Sequence, residues 1–519
     1  MNGETLDRPS AGAADRPPLT RWVWAVAALS LAAHFLPTPG YGFHRDELLY
    51  LAMGEHLRPL TMEFPPLIAA LAELARALPL PLLAAIRLLA ALAAAGTGVL
   101  TALLVRETGG GRIAQGSAAA AVLCSPLFVR AGTLFQPVVF EQLWWTLAFL
   151  ALAALLAGRD RRWWLVLGVA LGLGALTKFS VAFLGVGVLV AVLASPLRQD
   201  LRARWPWLAA LVMTLLAVPT VLGQVVHGWP FLAQARELKA DQLQHFSRVE
   251  FVTGQFPLLG TAAPLWLIGF GALLFAPAFR RFRSLGWAAL IIFATLLVAG
   301  GKAYYFGPAL PLLVAAAAML LVLWLDRPGR RWALALVIAA CVLGNLPLYP
   351  FGAPVLPPAA MVRYELRFGQ GADRTNSGGQ LPLPQDYADM TGWREQVEAV
   401  AGVYRSLPPE ERARAAILAT NYGRTGALAL FGREYGLPYP ISRNGDFWFW
   451  GTGGKSGEIV IVVGASRESL GTFFGEVTEA ARVRDPWGVE EERDVTVWIC
   501  RHPRTDLESG FRMLGPEWG

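Results

Sequence analysis

The chain has 519 residues, of which 55% are hydrophobic and only 16% charged. A soluble chain carries about 25% charged residues. Here the apolar residues come in long blocks, which excludes an ordinary soluble globule and leaves a polytopic membrane protein. The net charge of +7 gives no reason to expect a nucleic-acid partner, because the basic residues fall in short clusters between apolar runs.

Residues 1–20 are polar and rich in Pro, Ala and Gly, and read as a disordered N-terminus with nothing to bury. No cleavage-site pattern follows, so the first apolar run, Trp22–Leu36, reads as a helix that stays in the protein. Pro37 and Pro39 close it. Next comes an acidic stretch, 41–67, reading YGFHRDELLYLAMGEHLRPLTMEFPPL. It gathers Asp46, Glu47, Glu55 and Glu63 in a chain otherwise poor in charge, and its Pro65-Pro66 pair stops any helix from running through. Leu67–Leu78 predicts a short helix lying along the membrane surface. Further apolar runs are Leu82–Val105, Ile113–Val129, Val138–Ala157, Trp163–Leu176, Phe179–Ala194, Trp205–Val226, Leu258–Phe275, Leu285–Ala299, Tyr305–Leu325 and Trp332–Leu348. Together these predict about 11 spanning helices.

Charge sets the expected orientation. With the N-terminus cytoplasmic, the clusters around Arg106, Arg161, Arg202, Arg281 and Arg330 all fall on the cytoplasmic side, as the positive-inside bias demands. The extracytoplasmic side then receives the acidic stretch, the turn Arg130–Pro137, the loop His227–Pro257, the turn Gly301–Tyr304 and everything after about residue 350. Composition changes there. Trp393–Leu407 predicts an amphipathic helix, Ala415–Thr420, Ile459–Val463 and Val495–Cys500 predict strands, and NYGRTGALALFGREYG a turn and helix. The expected architecture is therefore a disordered cytoplasmic segment 1–20, a transmembrane part 21–349 and an extracytoplasmic α/β domain 350–519, with 368–385 as a linker, in a multi-pass protein of the plasma membrane.

The chemistry centres on the acids. Clustered carboxylates act as a general base or as ligands for a divalent metal. Asp46-Glu47, flanked by His44 and Arg45, sit at a membrane boundary, and Glu63 returns to the same side. Glu55 reads as a solvated charge. Glu141 lies inside an apolar run, in FQPVVFEQLWWTL, where an ionisable group marks a functional site by default. Lys178 and Lys302, the latter beside Tyr304 and Tyr305, share that side with Arg45. Each lysine alone reads as a snorkelling side chain, but together they point to an anionic ligand such as a phosphate at headgroup depth. His56, His227 and His245 lack metal-ligand spacing, and NYGRTGAL matches no nucleotide-binding fingerprint.

HRDELLYLAMGEHL followed by MEFPPL resembles the first outer loop of the GT-C superfamily of membrane glycosyltransferases, in the protein-mannosyltransferase-like branch (glycosyltransferase family 39). Asp46-Glu47 match that family's acidic pair, and Glu63 stands where Asp is commoner. FQPVVFEQLWW is similar to its second acidic segment, with Glu141 again in place of Asp. LTKFS, GKAYYFGPALPLL, NYGRTGAL and FWFWG add to the likeness. The resemblance implies a GT-C-like fold and transfer of a sugar from a polyprenyl-phosphate donor to an extracytoplasmic acceptor. It makes Asp46 the base, Glu47 and Glu63 positioning acids, and Lys178 and Lys302 partners of the leaving phosphate. His44, Arg45, Glu141, Tyr304 and Tyr305 would line the substrate site. It fixes no metal, because metal dependence varies across the superfamily. The alternatives are a transporter or flippase of lipid-linked sugars, which would want polar groups at the midplane, and a non-catalytic scaffold.

Overall fold

A computed structural model describes residues 18–36, 38–57, 64–241, 247–368 and 381–517. Glu63, His245, residues 1–17 of the expected disordered N-terminus and residues 369–380 of the expected linker lie outside the described residues.

From the N-terminus run α1 (Arg21–Ala33), α2 (Arg45–Glu55), α3 (Leu67–Arg76), α4 (Leu82–Glu107), α5 (Arg112–Leu123), α6 (Pro126–Thr133), α7 (Pro137–Leu156), α8 (Trp163–Thr177) and α9 (Val181–Leu193). Among the described residues, six helices are long and apolar enough to cross a membrane, or up to nine if each of three bent pairs counts as one span. Two shorter apolar helices, α1 and α8, join them. The sequence predicts about 11 spans; the count turns on how the bent pairs and these two short helices are taken, and the bends have a cause in proline. Ile113–Val129 reads as one run, but Pro126 opens a new helix and α5 meets α6 at 63°. Proline cannot continue the hydrogen-bond ladder and sits well at a first helical position. The predicted surface helix after Pro66 is α3, and the 227–257 loop contains short helices, Pro230–Asp241 and Arg248–Thr253.

Two buried hydroxyls of α4 are satisfied locally. Thr97 and Thr101 of α4 donate back to the carbonyls of Ala93 and Thr97, so a buried hydroxyl leaves no unpaired donor. Small residues permit close helix contact: a Cβ at Gly172 of α8 would stand 2.7 Å from Leu216, the kind of approach that membrane helices use. The Arg204–Val226 helix leaves Trp207, Leu211, Leu215 and Val226 exposed. That stripe is far too apolar for water and is a lipid-facing surface.

The C-terminal domain is built on a four-stranded sheet of β1 (Ala416–Ala419), β2 (Ile459–Val463), β3 (Phe474–Arg484) and β4 (Asp494–Pro503), in the order β1-β2-β4-β3. β1 and β2 are parallel, and the other two pairings are antiparallel. Every residue of β2 is buried, which explains its unbroken IVIVV run. β3 is the strand that the sequence pattern does not predict. It is an edge strand with a register shift between Glu479 and Ala481 and several exposed charged residues, the devices by which edges avoid pairing with other chains.

This domain is docked on α2. Gly426, in the Tyr422–Phe431 helix, faces Leu48 so closely that a Cβ there would lie 2.8 Å from Leu48 Cβ and 3.0 Å from its carbonyl oxygen. Gly426→Val is therefore expected to lower stability by about 1–3 kcal/mol through overpacking. Gly402→Ala, where nothing lies within 4 Å, leaves it unchanged or higher, both read as thermal unfolding of the detergent-solubilised protein.

Candidate active site

The N-terminal turn of α2 positions the acids. His44 is its N-cap: its Nδ1 accepts the Asp46 N–H at 3.1 Å, while Glu47 Oε2 accepts the His44 N–H at 2.9 Å. This reciprocal cap satisfies donors that a helix start leaves open. Glu47 is fully buried; its Oε1 accepts the Phe135 N–H at 3.1 Å, and Arg87 lies 3.6 Å from its Oε2. Glu47 thus faces the bundle interior. Asp46, on the same turn, faces the other way and is partly exposed. Its Oδ1 accepts from the Tyr422 hydroxyl at 3.0 Å and its Oδ2 from Gln136 Nε2 at 2.8 Å. The carboxylate sits at the positive end of the helix dipole. Arg45 lies over the Tyr422 ring, 4.8 Å from its centre.

Glu141, buried in the second turn of α7, accepts from Lys178 at 3.3 Å and from the Ser180 hydroxyl. The Lys178 ammonium also lies over the rings of Tyr304 and Tyr305, 5.5 and 5.2 Å from their centres. Lys302 is buried nearby. Burial, together with the charges of Arg130 and Lys178, lowers its ammonium to about 8. Tyr304 lies within electrostatic reach of Arg130, Glu141 and Asp46, so the cations and the α2 carboxylate share one end of the bundle.

The C-terminal part closes this end. Asp389 pairs with Arg45 at 3.4 Å, and its carbonyl accepts the Arg45 N–H at 3.0 Å. Asp386 pairs with Arg130 through both of its oxygens. His44 Nε2 stands 3.9 Å from Asp386 and 3.8 Å from Asp389 and has no hydrogen-bond partner among the described residues. Because Nδ1 accepts a backbone N–H, the ring proton is on Nε2. Burial raises the Asp389 carboxyl to about 6, against the pull of Arg45 and His44. Burial also pushes Asp386 up, but Arg130 outweighs it and holds that carboxyl below its usual range.

Of the residues singled out in the sequence, the structure brings together His44, Arg45, Asp46, Glu141, Lys178, Lys302, Tyr304 and Tyr305. Glu47 is adjacent but turned inward, and Glu63 is outside the described residues. Glu55, expected to be solvated, is mostly buried and pairs with Arg76 of α3 at 2.7 Å and with Arg433 of the C-terminal domain. It is a clamp between elements, because a charge removed from water needs a partner. Arg130, Asp386, Asp389, Tyr422 and Gln136 escape sequence reasoning. The signals were an arginine next to a proline-opened helix and two acids three residues apart in QDYADM, which share one face of a helical turn. Among the described residues, no group of three or more His, Cys, Asp or Glu side chains is arranged to hold a metal ion.

Residues 63–222 match the family described as dolichyl-phosphate-mannose-protein mannosyltransferase. No curated protein matches the chain by sequence. Two solved structures of ArnT from Cupriavidus metallidurans superpose on nearly the whole chain. The form bound to undecaprenyl phosphate has a TM-score of 0.60 at 17% identity, covering 92% of this chain and 98% of that one. The apo form gives 0.58 at 17%, covering 92% and 97%. The chain therefore shares the fold of these ArnT structures. Within this fold, the α2 turn, α7 and the α8–α9 junction are the parts that carry the acids and Lys178.

The geometry separates the two neighbouring acids of α2. Glu47→Ala leaves Arg87 and the Phe135 and His44 N–H groups without their acceptor, and is expected to reduce stability by about 3–5 kcal/mol. Asp46→Asn keeps one contact as an acceptor and reverses the other, its NH2 donating to the Tyr422 hydroxyl oxygen, and leaves the melting temperature within error of the parent, measured side by side by thermal unfolding.

Proposed function

We propose that the chain is a glycosyltransferase that moves a sugar from a polyprenyl-phosphate donor to a hydroxyl acceptor of the cell envelope. In this reading it lies in the plasma membrane with its N-terminus cytoplasmic and the domain of about residues 350–519 outside. The arginine clusters between the apolar runs support that orientation. One observation carries the function: a helix-terminal carboxylate, Asp46, shares one end of the bundle with a lysine, Lys178, bedded on two tyrosines. A lipid phosphate fits that set, with its charge on the lysines and its tail along apolar helix faces. The ArnT structure bound to undecaprenyl phosphate, of the same fold, supports this ligand class.

In the proposed step, the acceptor oxygen attacks the anomeric carbon while Asp46 takes the hydroxyl proton. The bond between that carbon and the phosphate oxygen breaks, and its electron pair leaves with the lipid phosphate. Negative charge then grows on the phosphate, where Lys178 and Lys302 stabilise it in a site of low dielectric. Glu141 orients Lys178, and Tyr422 and Gln136 orient Asp46. Glu47 acts by fixing the turn that carries Asp46, and Glu63 keeps its proposed role as a positioning acid.

Asp46→Asn should cut transfer by roughly 10²–10⁴-fold, the usual share of a general base. A deletion strain carrying this variant would accumulate the polyprenyl-phosphate sugar that the parent gene consumes, read by mass spectrometry of lipid extracts; restored consumption would refute Asp46 as base. Lys302 supplies a pH signature. Its charged form binds phosphate and is lost as pH rises through about 8, so affinity for undecaprenyl phosphate in nanodiscs should be full below that pH and decline above it. Lys302→Gln should flatten the dependence.

A further inference from the structure

Three cations occupy the proposed phosphate site, and they are not equivalent. Lys178 is held by Glu141 from within the bundle, at 3.3 Å. Lys302 is buried on the neighbouring turn. Arg130, at the end of α6, is half exposed and is held by Asp386, which belongs to a different part of the chain. The turn of Ala303–Ala309 abuts α6: a Cβ at Gly307 would come within 2.6 Å of Leu127, one helical turn from Arg130. Arg130 therefore stands beside the lysine site, with its fork already filled by a carboxylate that has the geometry of a phosphate edge.

Asp386 also has a second place to go. His44 Nε2–H lies 3.9 Å from Asp386 Oδ1, is almost completely buried and donates to nothing among the described residues. A buried donor left without an acceptor is destabilising, so a carboxylate that moved onto it would satisfy a donor the structure leaves open. His44 is the cap of α2, and its other ring nitrogen accepts the N–H of Asp46.

Building on the donor reading above, we infer that Arg130 is a third phosphate ligand and Asp386 its exchangeable counter-ion. When the lipid phosphate takes the Arg130 guanidinium, Asp386 passes to His44 Nε2–H. Donor binding is thereby registered at the capping residue of the helix that carries Asp46. The same exchange works for the sugar-bearing donor and for the lipid phosphate left after transfer, because both present phosphate oxygens.

The test is binding of undecaprenyl phosphate to the full chain in nanodiscs, because the two partners of one ion pair are expected to give opposite signs. Arg130→Gln should weaken binding about tenfold or more, the loss of one charged hydrogen-bond partner. Asp386→Asn should tighten it severalfold, because the phosphate no longer competes for Arg130. Asp386→Glu, which keeps the counter-ion, should bind as the parent does and shows that the position tolerates substitution. Equal or weaker binding by Asp386→Asn, with Asp386→Glu normal, would overturn the exchange and make the pair a brace. If Lys178→Gln weakens binding and Arg130→Gln does not, this inference fails while the donor reading stands. If the parent protein binds no undecaprenyl phosphate, both fail.

Discussion

The buried carboxylate of Glu47 is the constraint on which the site depends. It accepts the His44 and Phe135 N–H groups and lies 3.6 Å from Arg87. Three parts of the chain are joined through one side chain: the start of α2, the turn between α6 and α7, and α4. A charge buried without such partners would be strongly destabilising, and with them it fixes a single geometry. Asp46 inherits that geometry as the next residue back along the same helical turn. The sequence pair Asp46-Glu47 thus divides its labour by helix position, one acid inward and one toward the site.

The C-terminal domain belongs to the site as much as the bundle does. Tyr422 donates to Asp46, Asp389 holds Arg45, and Asp386 holds Arg130. The Asn421 cap and the buried Arg424–Glu492 pair order the turn that presents Tyr422. That turn is the NYGRTGAL stretch, whose glycines pack closely against Arg45 and Leu48 of α2.

Much of this was legible in the sequence. Apolar runs and arginine clusters give a polytopic helical protein, and period and composition give α3, the Trp393–Ser406 helix and strands β1, β2 and β4. Prolines open the second helix of each bent pair, so the apolar runs leave the span count open. What failed has physical causes. β3 is an edge strand whose Glu and Arg residues imitate a solvated segment. Arg130, Asp386, Asp389 and Tyr422 enter the site through contacts across 256 to 376 residues of chain, and no local pattern encodes a partner so distant. Glu55 looked solvated because both of its arginine partners are remote in sequence.

The proposed mechanism requires the lipid phosphate to sit beside Asp46. The most direct measurement is an electron cryo-microscopy structure of the full chain in nanodiscs with undecaprenyl phosphate. Phosphate density is expected in contact with Lys178 and Lys302, on the side of the bundle where Asp46 faces Tyr422. Density at the opposite end of the bundle, remote from Asp46, would contradict it.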